Sequence, residues 1–478
     1  MTIKAPLKAL ALTLLACASL AACKSPAPDP APSNNDPNND PNNEPNNDPN
    51  EGALTFFKDI KPLLDAKCNQ CHFDGGPAPF ALDDYEQVVM LRESIALSLE
   101  SGLMPPWQPS EACNSFEGDF SMSAEQKSKL LEWLESPMNA GDPASAPEAV
   151  TPPSLNLPRV DLTITMPEAY KPRLSPDDYR CFVMDWQETE ERFVTGFQAA
   201  PGNVAIVHHA LAFAIPPDKV PTVEALDAAE EGVGYTCYGT PFGDLGVDNF
   251  PSLLGTWVPG TAAISFPKDT GIRIVPGSKI VIQMHYNTLS GNAQDDRSSI
   301  QFTLADSVED EAVFLPFTNP EWLDGDGMLI PKGDSDVRHS FGFDVTRYVN
   351  FVSQDRIPAG AFMVHSAFLH MHTLGASTRI SVMRQGGEDC MLDIPRWDFN
   401  WQATYTFTEP RRVDPGDAIF MECRWDNSAE NQPFVNVDTD GDGAPDTFQQ
   451  RESQDVRWGE GTTDEMCISF LYVTSAPR

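Results

Sequence analysis

The sequence predicts a multidomain chain: a small all-α domain followed by two all-β sandwiches of jelly-roll-like texture. Three observations predict it. The chain has 478 residues, 41% hydrophobic and 21% charged, so it exceeds one core and has the apolar content to build several. Residues 52–141 carry helical periodicity. From residue 160 onward, short apolar runs alternate with Pro, Gly, Asn and Asp, as strands and turns do. The net charge of −38 repels phosphate backbones and argues against a nucleic-acid partner.

Residues 1–22 read as an export signal. Lys4 and Lys8 precede the apolar run Leu10–Leu20, which is too short for a permanent membrane span. Leu20-Ala21-Ala22-Cys23 resembles a bacterial lipoprotein signal, which implies cleavage before Cys23 and a lipid anchor there; a plain signal cleaved after Ala22 is the alternative. Lys24 resembles the residue found in lipoproteins sorted to the outer membrane. The expected location is therefore exported and oxidising, at a bacterial outer membrane facing the periplasm or the cell surface. Residues 23–51 repeat Asn-Asn-Asp-Pro and hold almost no apolar side chain, so they read as a disordered tether.

Within 52–141, Leu54–Leu64 and Leu82–Leu103 have helical patterns, and Ser123 with Gln126 reads as a capping box opening a further helix. Cys68-Asn69-Gln70-Cys71-His72 is a Cys-x-x-Cys-His motif. Two adjacent thiols suit covalent attachment of one haem c, and the neighbouring His suits its iron. A disulfide or a zinc half-site is the plainer alternative. Met104, in Leu103-Met104-Pro105-Pro106-Trp107, is the candidate sixth ligand, ahead of Met122 and Met138. Motif and length resemble small class I cytochromes c. Residues 142–159 are proline-rich and read as a second linker.

The β part divides into 160–307 and 308–478, with the break at the acidic stretch Ala305–Ala312. Expected strands include Ala205–Ile215, Lys279–Tyr286, Ala361–Met371 and Thr378–Met383. Seven of the eight histidines lie here. His208 and His209 are neighbours, and neighbours on a strand face opposite sides. They meet at one metal only if the strand is distorted or the rings use different nitrogens. His285 shares a strand face with Gln283, a candidate supporting group. His370 and His372 stand two apart, on one face of a strand. Met466 offers a thioether. Imidazole and thioether donors suit copper in either oxidation state, and zinc seldom takes a Met sulfur. His339 and His365 read as structural.

These pieces resemble the copper type II, ascorbate-dependent monooxygenases, over about residues 160–478. The resemblance implies two copper ions, one held by His208, His209 and His285, the other by His370, His372 and Met466, the last three being catalytic. It implies oxygen activation at the second set and electron storage at the first. It also implies a Cys423–Cys467 disulfide beside Met466. Phe368 and Phe470 stand where the peptide-hydroxylating members place an Arg and a Tyr for a substrate carboxylate, which favours a more apolar substrate.

Cys113, Cys181, Cys237 and Cys390 remain, an even number suited to disulfides that the sequence cannot pair. Asp438, Asp440, Asp442 and Asp446 resemble a calcium loop, with a solvated acidic turn as the alternative. The expected activity is hydroxylation of a substrate C–H bond with O2, electrons coming from an ascorbate-like reductant, the fused haem, or both. The substrate would be a small molecule or peptide with an apolar part. The rival expectation is a haem and copper lipoprotein that transfers or senses electrons without oxygenase chemistry.

Overall fold

The structure is a computed structural model. It describes residues 53–477 except 75, 77, 149–153, 175–176, 243–250, 260, 289–293, 324–326 and 438–446. The expected signal, Cys23, the tether and the four calcium-loop aspartates therefore lie outside the described residues. Contacts divide the chain after Ala53, and the architecture below is that of the unit beginning at Leu54.

Helices gather at the start of this unit. A π turn, Phe56–Ile60, leads into α1, Lys61–Lys67. The sequence reads this stretch as one helix. Pro62 interrupts it, because its ring supplies no N–H and is tolerated only in a helix's first turn. Then come α2, Tyr85–Met90, α3, Arg92–Glu100, and α4, Ala124–Glu135. Ser123 and Gln126 close the capping box at α4, with side-chain to backbone bonds of 3.2 and 2.9 Å. Phe56, Leu64, Val88, Leu130 and Trp133 are buried between these helices.

The rest is mostly β-sheet in sandwich-like layers. A five-stranded sheet has the order Tyr235–Thr236, Asp177–Asp185, Lys279–Asn287, Val207–Ile215, Ser252–Trp257. A four-stranded sheet has the order Val337–Phe343, Ala418–Trp425, Gly375–Arg384, Gly387–Ile394. Between them runs a nine-stranded sheet whose central strands are Thr270–Ile274, Asp310–Phe317, Ile468–Ser475 and Phe362–His370.

That central sheet serves two cores, and the two-residue period of a strand explains how. Ile468, Phe470 and Tyr472 enter the core shared with the five-stranded sheet; Leu471 and Val473 enter the other. Ala312 and Phe314 likewise face one core, Val313, Leu315 and Phe317 the other. Strands buried on both faces are written as unbroken apolar runs, as Phe470-Leu471-Tyr472-Val473 is. The acidic stretch read as an interruption narrows to 306–309, because Asp310 and Glu311 already pair in parallel with Thr270 and Gly271.

Three disulfides form, Cys113–Cys390, Cys181–Cys237 and Cys423–Cys467. The first fastens the segment between α3 and α4 to the four-stranded sheet. Around it, Ser110 N–H donates to the Asp393 carbonyl at 2.8 Å and Glu117 N–H to the Thr406 carbonyl at 2.9 Å. Trp107 packs edge-on against Tyr405, with centroids 5.4 Å apart.

Candidate metal centres

His208 and His209 lie on the strand Val207–Ile215, whose pairing with Lys279–Asn287 shifts register between Val207 and His209. A bulge puts two residues opposite one and re-aims a side chain. Strand distortion is thus the alternative that brings both neighbours to one side. The potential ligand atoms of His208, His209 and His285 lie within 4.8 Å of one another.

The free nitrogens are defined by what the others bind. His285 Nε2–H donates to Asp177 at 2.8 Å, leaving Nδ1, which lies 3.3 Å from His209 Nδ1. His208 Nδ1 is buried with no hydrogen-bond partner among the described residues. Three imidazoles gathered this closely, with one buried ring nitrogen unpartnered, suit a cation. Burial pushes the His208 imidazole down to about 3 and His209 well below its ordinary value, so both are neutral ligands. Burial pushes the Asp177 carboxyl up, but the bonds from His285 and from Thr462 Oγ1 (3.1 Å) outweigh it and hold it low. Tyr179 stacks on His285 with centroids 4.0 Å apart.

His370 ends the strand Phe362–His370, and His372 lies beyond it. The sequence places both on one strand. The backbone N–H of His372 instead donates to the Glu465 carboxylate at 2.9 Å, which takes it off the sheet. The two rings still meet, centroids 5.0 Å apart. His370 Nδ1–H donates to Gln402 Oε1 at 2.6 Å and His372 Nδ1–H to the Asp464 carbonyl at 3.0 Å. Both rings therefore keep Nε2 for a metal. Burial pushes His370 down to about 4 and His372 well below its ordinary value.

Met466 lines one cavity with His209, His370 and His372. Trp257, Val258, Phe368 and Phe470 give that cavity apolar walls, and Gln283 and Glu460 add polar groups. Glu465 is held at the root of the second set by Leu374 N–H at 2.6 Å and by the Trp425 indole at 2.8 Å. Burial pushes its carboxyl up to about 7 despite those donors. His339 and His365 bond elsewhere, to the Leu329 carbonyl and to Thr474 Oγ1.

Cys68 and Cys71 are free thiols although the other six described cysteines are all paired. His72 is buried, with Nδ1 3.1 Å from the Phe80 carbonyl, so Nε2 is the nitrogen left over. Unpaired thiols beside an imidazole oriented by a carbonyl fit a covalently held haem. Met122 and Met138 pack against the helical core; Met104 is half-buried on the segment that leads to Trp107 and the sandwich.

Sequence reasoning missed Asp177, Gln402 and Glu465. Asp177 carries no motif and is recruited by strand pairing. Glu465 lay in plain sight, between the expected ligand Met466 and Asp464, but nothing in the sequence says that its carboxylate turns inward.

Residues 326–440 match the family copper type II ascorbate-dependent monooxygenase, C-terminal domain. The chain is 21% identical over 280 residues to a tyramine beta-hydroxylase of Caenorhabditis briggsae, which covers 57% of this chain and 40% of the relative. It is 23% identical to mouse DBH-like monooxygenase protein 2 over 56% of this chain and 38% of that one. Human DBH-like monooxygenase protein 1 gives 22%, over 56% and 39%. The chain thus spans about two fifths of the length of these curated relatives. Together with the matched domain, these likenesses support the copper type II ascorbate-dependent monooxygenase family.

Proposed function

We propose that this chain is a copper-dependent monooxygenase that inserts one atom of O2 into a substrate C–H bond, the other atom leaving as water with two electrons and two protons. The observation that carries this reading is the convergence of ring nitrogens of His208, His209 and His285, together with a second imidazole pair that shares its cavity with Met466. His208, His209 and His285 would hold one copper, and His370, His372 and Met466 the other. Copper, once bound, supplies one-electron redox chemistry and the activation of O2.

The protein's own part is positional. Asp177 fixes the His285 tautomer, and Gln402 and the Asp464 carbonyl fix those of His370 and His372. Phe368, Phe470 and Trp257 exclude water and receive the apolar part of a substrate. Cys68, Cys71 and His72, with Met104 as the sixth ligand, would hold a c-type haem that feeds electrons singly. An anchor at Cys23 would place the enzyme on an outer membrane.

The test uses full-length protein matured in a host that attaches haem and then loaded with copper. The expected result is one iron and two coppers per chain, and O2 uptake coupled to a hydroxylated product with a small reductant. His370→Ala abolishes product while leaving the first copper in place. Full metal content without O2 uptake on a panel of apolar substrates would overturn the oxygenase reading in favour of electron transfer alone.

A further inference from the structure

We infer that the loop Arg396–Gln402 is the path by which electrons entering at the helical region reach both histidine sets. The inference rests on the proposed function, since it needs a haem at Cys68, Cys71 and His72 and copper at the histidines.

The loop touches both ends of that path. On its outer side, the Arg396 guanidinium donates to the Ser101 carbonyl at 3.0 Å and to the Gly102 carbonyl, just beyond α3. Gln108 Nε2–H donates to the Asp398 carbonyl at 3.0 Å. On its inner side, the Trp397 indole donates to the His372 carbonyl at 3.1 Å. The Phe399 ring stacks on His208 with centroids 5.1 Å apart and 24° between planes. The same ring meets His372 edge-on, centroids 6.0 Å apart. Gln402 binds His370 through Oε1 and the Phe399 carbonyl through Nε2, at 2.6 and 2.9 Å. Five residues of this seven-residue loop therefore contact the helical region, one imidazole of the first set and both histidines of the second.

The steps are few. From Gln108 there is one hydrogen bond to Asp398, one peptide link to Phe399, and one ring contact to His208 or His372. Met104 lies four residues before Gln108 along the backbone, so the approach from the candidate iron ligand is covalent. Pro105 and Pro106 fix their own φ, and Trp107 is wedged between Phe120 and Tyr405 at 4.9 and 5.4 Å. The Cys113–Cys390 disulfide clamps the two sides together five residues past Gln108. Electrons tunnel better through bonds and rigid contacts than across a mobile, solvated gap. Each passage moves one electron: a ferrous haem becomes ferric, a cupric ion becomes cuprous, and a small one-electron reductant of the ascorbate kind restores the haem. No bond or proton changes hands within the loop.

The experiment uses the full chain loaded with haem and copper, with O2 excluded. The haem is reduced photochemically, its reoxidation is followed by the visible α band, and loss of the cupric signal is followed by electron paramagnetic resonance. Phe399→Leu and Gln108→Leu are expected to slow the transfer at least tenfold, while Phe399→Tyr, which keeps the ring, keeps the rate. An unaltered cupric hyperfine pattern in each variant shows that the copper ligands have not moved. Leu variants that hold full metal and transfer as fast as the parent overturn the path and leave the proposed function standing. A parent protein that takes up no haem or no copper overturns both.

Discussion

Asp177 controls which nitrogen His285 offers, by taking the proton-bearing Nε2 at 2.8 Å. Supporting partners of this kind are worth about 10–100-fold in metal affinity. Asp177→Ala should therefore lower copper retained after dialysis against a chelator from two ions per chain toward one, whereas His365→Ala, outside both sets, should leave two. The buried imidazoles also set a pH dependence. An imidazole whose folded pKa is lowered stabilises the fold above its unfolded pKa and withdraws that support as pH falls. His208, His209, His370 and His372 all act this way below about pH 6.5. Glu460 and Glu465, pushed up to about 7 chiefly by burial, act oppositely and lose their contribution as pH rises through 7. Four groups outweigh two between pH 4.5 and 6.5. The metal-free protein should show a falling urea midpoint on acidification through that window, and copper, which holds the imidazoles only in the folded protein, should raise the midpoint without removing its fall. The histidines were legible in the sequence because a ligand is a residue type at a spacing. Asp177 was not, because it stands opposite Asn287 and reaches His285 diagonally, a relation that only strand register creates.

At the scale of elements, the bulge before His209 and the exit of His372 from its strand show where pattern reading stops. Alternation said which face each His should take, and in both sites a local departure from alternation makes the geometry. The capping box at α4 was legible because its two partners are three residues apart. The pairing of Cys113 with Cys390 was not, since the two are separated by 277 residues and nothing local links them. That bridge has a measurable weight. Replacing both cysteines by serine should cost about 2–5 kcal/mol in urea unfolding of the oxidised protein. It should also expose the segment around Trp107 to limited proteolysis.

For the molecule as a whole, the shared central sheet binds the two sandwiches into one structure. Phe314, Phe368, Phe470 and Tyr472, all beyond residue 307, are at most 8% exposed and complete the core of the earlier strands. Each such side chain contributes about 1.5–3 kcal/mol by burial, and four of them rival the roughly 5–15 kcal/mol that holds a typical domain together. A protein ending at residue 307 should therefore fail to give a cooperative thermal transition or a monodisperse elution profile. The two-layered β texture was legible from the turn spacing. The sharing of one sheet was not, because the parallel contact of Asp310 with Thr270 joins segments that the sequence separates with an acidic turn.

The run from Ile468 to Val473 has a further consequence. Apart from Ser469, its side chains are apolar or aromatic and are committed in turn to opposite interiors, so a charge at any of those positions would be buried on one side or the other. Met466 stands two residues ahead of its start and inherits that immobility. Softening a single layer leaves the sulfur anchored by the other, so its aim should tolerate damage to either half better than damage to the strand itself.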